Sequence, residues 1–181
     1  MRYLVRHAHA GSKGKWAGPD QARPLSDQGR AEALGLIQQL GDLSPGRVLS
    51  SPDVRCLQTV QPLAGRLGRL VEPSEALGVD GTGPGVLELL TDPALEGAVL
   101  CTHGEVIGKV FDELQLAGIE LSDPLRWPKG SIWILQLDGG QDGRGPTWSR
   151  WRPSRRSRTR CLVDPRSRQG GTGDEGARGE A

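Results

Sequence analysis

The chain has 181 residues, enough for one domain with a buried core and a tail. Only 35% of it is hydrophobic and 4% aromatic, with 27 Gly and 13 Pro, so the core must be aliphatic and the loops many. The net charge of +1 conceals an asymmetry: residues 1–149 carry 14 Lys and Arg against 18 Asp and Glu, whereas residues 150–181 carry 9 against 4. The globular part is therefore mildly acidic, and any positive field in it is a local patch. Cys56, Cys101 and Cys161 are odd in number and lack CxxC spacing, which argues against a disulfide framework and a zinc site. No apolar stretch approaches the roughly 18 residues of a membrane span. The expectation is a soluble, cytoplasmic protein with no membrane partner.

Arg2–Val5 reads as a first strand that delivers Arg6-His7-Ala8 at its C-terminal end. A guanidinium offers a planar fork of donors to phosphoryl oxygens, and an imidazole is a nucleophile and a proton carrier near neutral pH. A polar, Gly-rich loop from Ala8 to Arg23 then carries His9, Lys13, Lys15 and Trp16. Ser26 looks like an N-cap, with Ala33, Leu34, Ile37 and Leu40 as the buried face of a helix and Gly41 as its stop.

Arg47–Ser50 is a second strand, and Asp53–Leu67 a helix that Pro62 should kink or divide. Arg69–Val71 is a brief third strand and Gly83–Thr91 a short helix. Ala98–Thr102 has the apolar continuity of a buried strand, Gly104–Leu116 is helical, and Ser131–Leu137 and Thr147–Trp151 are two further strands. Strands alternating with helices imply an α/β fold, a mostly parallel sheet flanked by helices on both faces. In such sheets ligands bind at the carboxyl ends of the strands, where Arg6, His7, Arg55 and His103 all fall. The domain is expected to span residues 1–152. The Arg-rich and Gly-rich segment 153–181 has too little apolar content to fold alone. Eight arginines between Arg150 and Arg168 are too little interleaved with aromatics to make nucleic acid an expected partner.

Three spaced runs, Arg6-His7-Ala8, Ser50-Ser51-Pro52 leading to Arg55 and Gln58-Thr59, and Thr102-His103-Gly104, resemble the histidine phosphatase superfamily over roughly residues 1–138. That group includes cofactor-dependent phosphoglycerate mutases and SixA-type phosphohistidine phosphatases. With Lys13, Arg23-Pro24-Leu25 and Pro128-Lys129-Gly130-Ser131, the pattern looks closest to the phosphatase-like domain behind a Nudix domain in actinobacterial MutT-type proteins. The resemblance implies a phosphoglycerate mutase-like fold, His7 as nucleophile, His103 as the second pocket histidine, and Arg6 and Arg55 as phosphoryl-binding cations. It implies no metal and no cofactor, and a phosphorylated small molecule, a nucleotide or a phosphohistidine protein as substrate. A separate Nudix-domain protein is the partner it suggests.

Phosphoryl transfer needs mainly positioning and electrostatic stabilisation, which guanidinium and imidazole groups supply. The family's acid, which protonates an alkoxide leaving group, has no clear counterpart. Leu77-Gly78-Val79 stands where it is expected, flanked by Glu75 and Asp80, and either or neither serves. An imidazole or phosphoanhydride leaving group needs less help. Lys13, Lys15 and Lys129 are candidate contacts for further phosphates, Lys13 and Lys15 being equally readable as solvated loop residues. His9 has no family counterpart and is read as a loop histidine near the pocket. Mutases carry a large insertion and an Asn where Lys13 stands, so mutase activity is not implied. The rival from another class is a non-catalytic module that binds phosphorylated ligands or a partner Nudix domain.

Overall fold

The computed structural model describes residues 1–119, 121, 126–138 and 147–153. Its strands are β1 (Arg2–Arg6), β2 (Val48–Ser50), β3 (Val71–Pro73), β4 (Val99–Thr102), β5 (Ile132–Asp138) and β6 (Thr147–Pro153). Its helices are α1 (Asp27–Leu40), α2 (Val54–Arg66), α3 (Gly83–Thr91) and α4 (Gly104–Leu116). The strands form one six-stranded sheet in the order β3-β2-β4-β1-β5-β6. The first four in that order are parallel, β5 pairs antiparallel with β1, and β6 pairs antiparallel with β5.

Side chains alternate across the two faces of a strand, and here each face has its own core. Leu4, Leu49 and Leu100 point into a cluster with Val86 and Leu90 of α3 and Val106, Ile107, Val110, Phe111 and Leu114 of α4. Tyr3, Val5, Val48, Val99 and Cys101 point the other way, against Leu36 and Leu40 of α1 and Cys56, Val60, Leu63 and Ala64 of α2. Helices therefore cover both faces, as the strand and helix alternation requires. Cys56 and Cys101 are free, fully buried thiols within the second core.

Three local expectations are corrected. The third strand begins at Val71, where it pairs with Val48, because Arg69 still belongs to the turn that closes off α2. Gly68 takes φ +64 and the Arg69 amide donates to the Ala64 carbonyl (2.9 Å), a left-handed helix stop that leaves Leu70 86% exposed. Pro62 does not divide α2, which runs unbroken from Val54 to Arg66. On α1 the buried line is Gly29, Ala33, Leu36 and Leu40, and Leu34 faces solvent at 57% exposure. Ser26 does cap α1, its hydroxyl accepting from the Gly29 amide (3.2 Å).

The parallel register sets the site. Arg6 stands beside Thr102 on β4, and Ser50 beside Cys101. The ladder continues one residue past the strands, with the His7 amide donating to Thr102 O (3.0 Å) and the Ser51 amide to Cys101 O (2.9 Å). Ser51, His103 and His7 thus leave three neighbouring strands at one edge of the sheet. Residues 139–146 and 154–181, including the Arg-rich segment and Cys161, lie outside the described residues. Among the described residues no helix is long and apolar enough to cross a membrane.

Candidate active site

His7 is buried at 6% exposure. Its Nδ1 lies 2.8 Å from the carbonyl oxygen of Ala8, which can only accept, so Nδ1 carries the proton and the Nε2 lone pair is free. Burial first, then the neighbouring His103, Arg55 and Arg6, bring its pKa down to about 3 against the opposing pull of the Ala8 carbonyl. The ring is therefore neutral and nucleophilic across the physiological range.

His103 directly precedes α4, without a side-chain hydrogen bond to its first turn, and is 1% exposed. Its ring lies edge-on to His7, the centroids 5.4 Å apart at 64°. Nδ1 accepts from Arg55 Nη2 (3.3 Å), which places the ring proton on Nε2, 2.9 Å from Ser51 Oγ. Cys56 Sγ packs 3.6 Å from the same nitrogen.

Arg55, in the first turn of α2, is 3% exposed. Its Nη2 is 2.7 Å from Asp53 Oδ2 and 3.4 Å from Asp20 Oδ2, and its Nη1 donates to the Asp20 carbonyl (2.6 Å). Asp53 Oδ2 also lies 3.5 Å from His103 Nε2. Arg6 extends from the end of β1 and donates through Nη1 to the Trp127 carbonyl (2.7 Å). Its guanidinium lies so close to the start of α4 that a Cβ on Gly104 would come 2.6 Å from Arg6 Cζ, so only glycine leaves that room.

The remaining predicted residues divide. Lys129 is half-buried beside this cluster, because the Gly130 amide donates to the carbonyls of Arg6 and His7 (3.2 Å each). Desolvation, then the charges of Arg6 and Arg23, pull the Lys129 pKa down. Lys13 is 77% exposed and, among the described residues, its ammonium group meets Asp20 alone (3.8 Å). Lys15 is exposed and makes no ion pair among the described residues. Glu75, in the 3-10 turn Glu75–Leu77, and Asp80 are both exposed, and among the described residues neither side chain makes a hydrogen bond or ion pair. His9 turns from the pocket to α1: its Nδ1 sits 2.7 Å from Ser26 Oγ and its amide donates to Glu32 (2.8 Å).

Two carboxylates that the motif reading did not single out belong to the cluster. Asp53 lies inside the Ser51-to-Arg55 run, so a carboxylate two residues before the arginine was a usable signal. Asp20 gave none, since only the folded loop brings it to Arg55. Hydrogen bonds from Arg23 first, and the charge of Arg55 next, hold the Asp20 carboxyl below the ordinary range. Arg23 is itself buried, donating to Asp20 Oδ1 (2.8 Å) and to the Ala10 carbonyl (2.7 Å).

The chain is similar to known phosphatases in sequence and in fold. The sequence model of the histidine phosphatase superfamily (branch 1) matches residues 2–78. An 8-oxo-(d)GTP phosphatase of Mycolicibacterium smegmatis is 33% identical over 145 residues, which cover 76% of this chain and 44% of that protein. The chain thus spans less than half the length of that relative. Among solved structures, a putative phosphohistidine phosphatase SixA from Agrobacterium tumefaciens superposes with a TM-score of 0.63 at 22% identity, covering 84% of this chain and 94% of that one. The protein histidine phosphatase SixA complexed with tungstate gives 0.64 at 23%, covering 84% and 96%. A mycobacterial glucosyl-3-phosphoglycerate phosphatase complexed with VO3 gives 0.59 at 20%, covering 84% and 96%. With its mostly parallel sheet, its paired histidines and its paired arginines, the chain belongs to the histidine phosphatase superfamily.

Proposed function

We propose that this phosphatase moves the phosphoryl group of its substrate onto Nε2 of His7 and then to water, without a metal ion. The observation that carries the reading is the fixed tautomer of His7: the Ala8 carbonyl takes Nδ1–H (2.8 Å), and burial keeps the ring neutral. Arg6, Arg55 and His103 surround the acceptor nitrogen and stabilise charge on the equatorial oxygens. The Nε2–P bond forms as the bond to the leaving group breaks, and the leaving group keeps the electron pair. Water then attacks phosphorus, the P–N bond breaks, and orthophosphate departs with neutral His7 restored.

The leaving group is one that departs readily, a phosphoramidate nitrogen or a phosphoanhydride oxygen. Among the described residues neither Glu75 nor Asp80 is engaged with the histidines, so neither of these two stands ready as the acid for an alkoxide. The likeness to SixA proteins supports the first class, and the relationship to an 8-oxo-(d)GTP phosphatase supports the second.

The test is to incubate the protein with labelled phosphoramidate and look for acid-labile, base-stable label that His7→Ala abolishes. Glu75→Gln and Asp80→Asn should leave phosphoramidate turnover within about twofold of the parent, and EDTA should not change it. Label retained in His7→Ala, or activity lost to EDTA and restored by magnesium, overturns the mechanism. Protein that binds phosphoramidate without ever being labelled supports the non-catalytic module instead.

A further inference from the structure

The loop between β1 and α1 carries an indole that no core claims. Trp16 is 39% exposed, yet it is held firmly: Nε1–H donates to the Pro19 carbonyl (2.9 Å), and Gly18 lies so close that a Cβ there would come 3.2 Å from Cε2, Cζ2 and Nε1. Its amide closes the 3-10 turn Lys13–Lys15 by donating to the Lys13 carbonyl (3.2 Å). Pro19, which holds the ring, directly precedes Asp20, whose carbonyl accepts from Arg55 (2.6 Å). The indole is therefore fixed to the rim of the pocket through a short, continuous chain of contacts.

Charge at the same rim exceeds what one phosphoryl group requires. Asp53 and Asp20 face Arg55, and Asp20 also faces Arg23. Arg6, Lys129 and Lys15 form no ion pair among the described residues, and Lys13, on the same loop as Lys15 and Trp16, meets Asp20 at 3.8 Å. Arg6, Arg23 and Arg55 repel Lys129, Glu32 offsets this in part, and a bound anion would offset it further.

Resting on the phosphatase reading above, we infer that the substrate is a nucleoside diphosphate whose base stacks on Trp16 while its terminal phosphate meets His7. A rigid, half-exposed indole is a platform for any flat heteroaromatic ring. Lys13, Lys15 and Lys129 supply point charges for the inner phosphate, and Arg6 and Arg55 supply forked donors for the outer one. His7 Nε2 bonds to the β-phosphorus, the bridging oxygen leaves with its electron pair on the nucleoside monophosphate, and water releases orthophosphate. That leaving group is a phosphate, so the exposed positions of Glu75 and Asp80 cost the reaction little.

The experiment compares GDP with phosphoramidate, a donor that has no ring, in the parent, Trp16→Ala and Trp16→Phe proteins. The ratio of kcat/KM for GDP to that for phosphoramidate should fall at least about tenfold in Trp16→Ala, mainly through KM, and Trp16→Phe should recover most of it. Binding of GDP to His7→Ala, followed by calorimetry, should weaken by a similar factor when Trp16→Ala is added. A ratio unchanged in Trp16→Ala, equal losses on both substrates, or a parent that turns over phosphoramidate but not GDP overturns the inference and leaves the phosphatase reading standing. Failure of the parent on both substrates, with no label on His7, removes the phosphatase reading itself.

Discussion

Thr59 ties the segment that follows His7 to the helix that carries Arg55: its Oγ1 accepts from the Ala8 amide (2.9 Å) and donates to the Arg55 carbonyl (2.7 Å). One buried hydroxyl thus sets the distance between an imidazole at the end of β1 and a guanidinium on α2. Thr59→Val keeps the shape and leaves the Ala8 amide buried without a partner, a cost of about 1–3 kcal/mol. We expect the urea midpoint to fall accordingly and turnover to drop further than stability does, with Thr59→Ser close to the parent on both. Equal values for Thr59→Val and the parent in both measurements would show that Ala8 is held by other means.

The depressed pKa of His7 predicts an acid sensitivity of known sign. In the unfolded chain the imidazole titrates near 6.5, and in the fold near 3, so between these values the unfolded state binds the extra proton. The contribution of His7 to stability is complete above pH 6.5 and is lost as pH falls towards 3, with a slope of up to about 1.4 kcal/mol per pH unit. His7→Gln lacks this slope. Urea melts of the two proteins from pH 7 to pH 4 should show the parent losing stability faster, and parallel curves would contradict the buried neutral ring.

Arg55 is occupied by carboxylates of the same chain, which gives opposite predictions for two substitutions. Arg55→Lys replaces a fork by a point charge and should cost on the order of 10² in turnover. Asp20→Asn removes a negative group 3.4 Å from Nη2, so orthophosphate should inhibit more strongly, by roughly threefold to tenfold in Ki. An unchanged or weaker inhibition would mean that Asp20 does not compete with phosphate for Arg55.

Gly104 controls the position of Arg6. An alanine Cβ would stand 2.6 Å from Cζ and 2.7 Å from Nε and Nη2, so the guanidinium has to move away from the start of α4. Gly104→Ala should lower turnover on the order of 10², because displacement of a charge by about 1 Å is enough. Its melting temperature should stay near that of the parent, since alanine suits a first helical turn. Full activity in Gly104→Ala would show that Arg6 has no fixed task.

Most of the sheet was legible in the chain because short aliphatic runs such as Val99–Thr102 follow amphipathic stretches with clear caps. The ends of elements were less legible. Leu70 reads as a strand residue by its side chain, but the left-handed Gly68 decides where the chain can leave α2. Leu34 and Leu36 are equal in apolarity, and only packing against α2 chooses between them. The four residues His7, Arg6, Arg55 and His103 could be grouped early because each lies at the end of a parallel strand or in the segment that leaves it, and parallel register brings such positions together. Asp20 could not, since its approach to Arg55 is made by a loop with no periodicity. The exposure of Glu75 and Asp80 was equally hidden, because it depends on how the turn after β3 faces.

Both outer strands of the sheet end on proline, Pro73 on β3 and Pro153 on β6. A proline has no amide hydrogen to offer, so a further strand arriving at either border finds the ladder cut short at that residue. Runaway growth of the sheet by addition of copies is opposed at both borders by residues that take no part in the chemistry. Replacing either proline by valine would restore a donor where the fold now presents none.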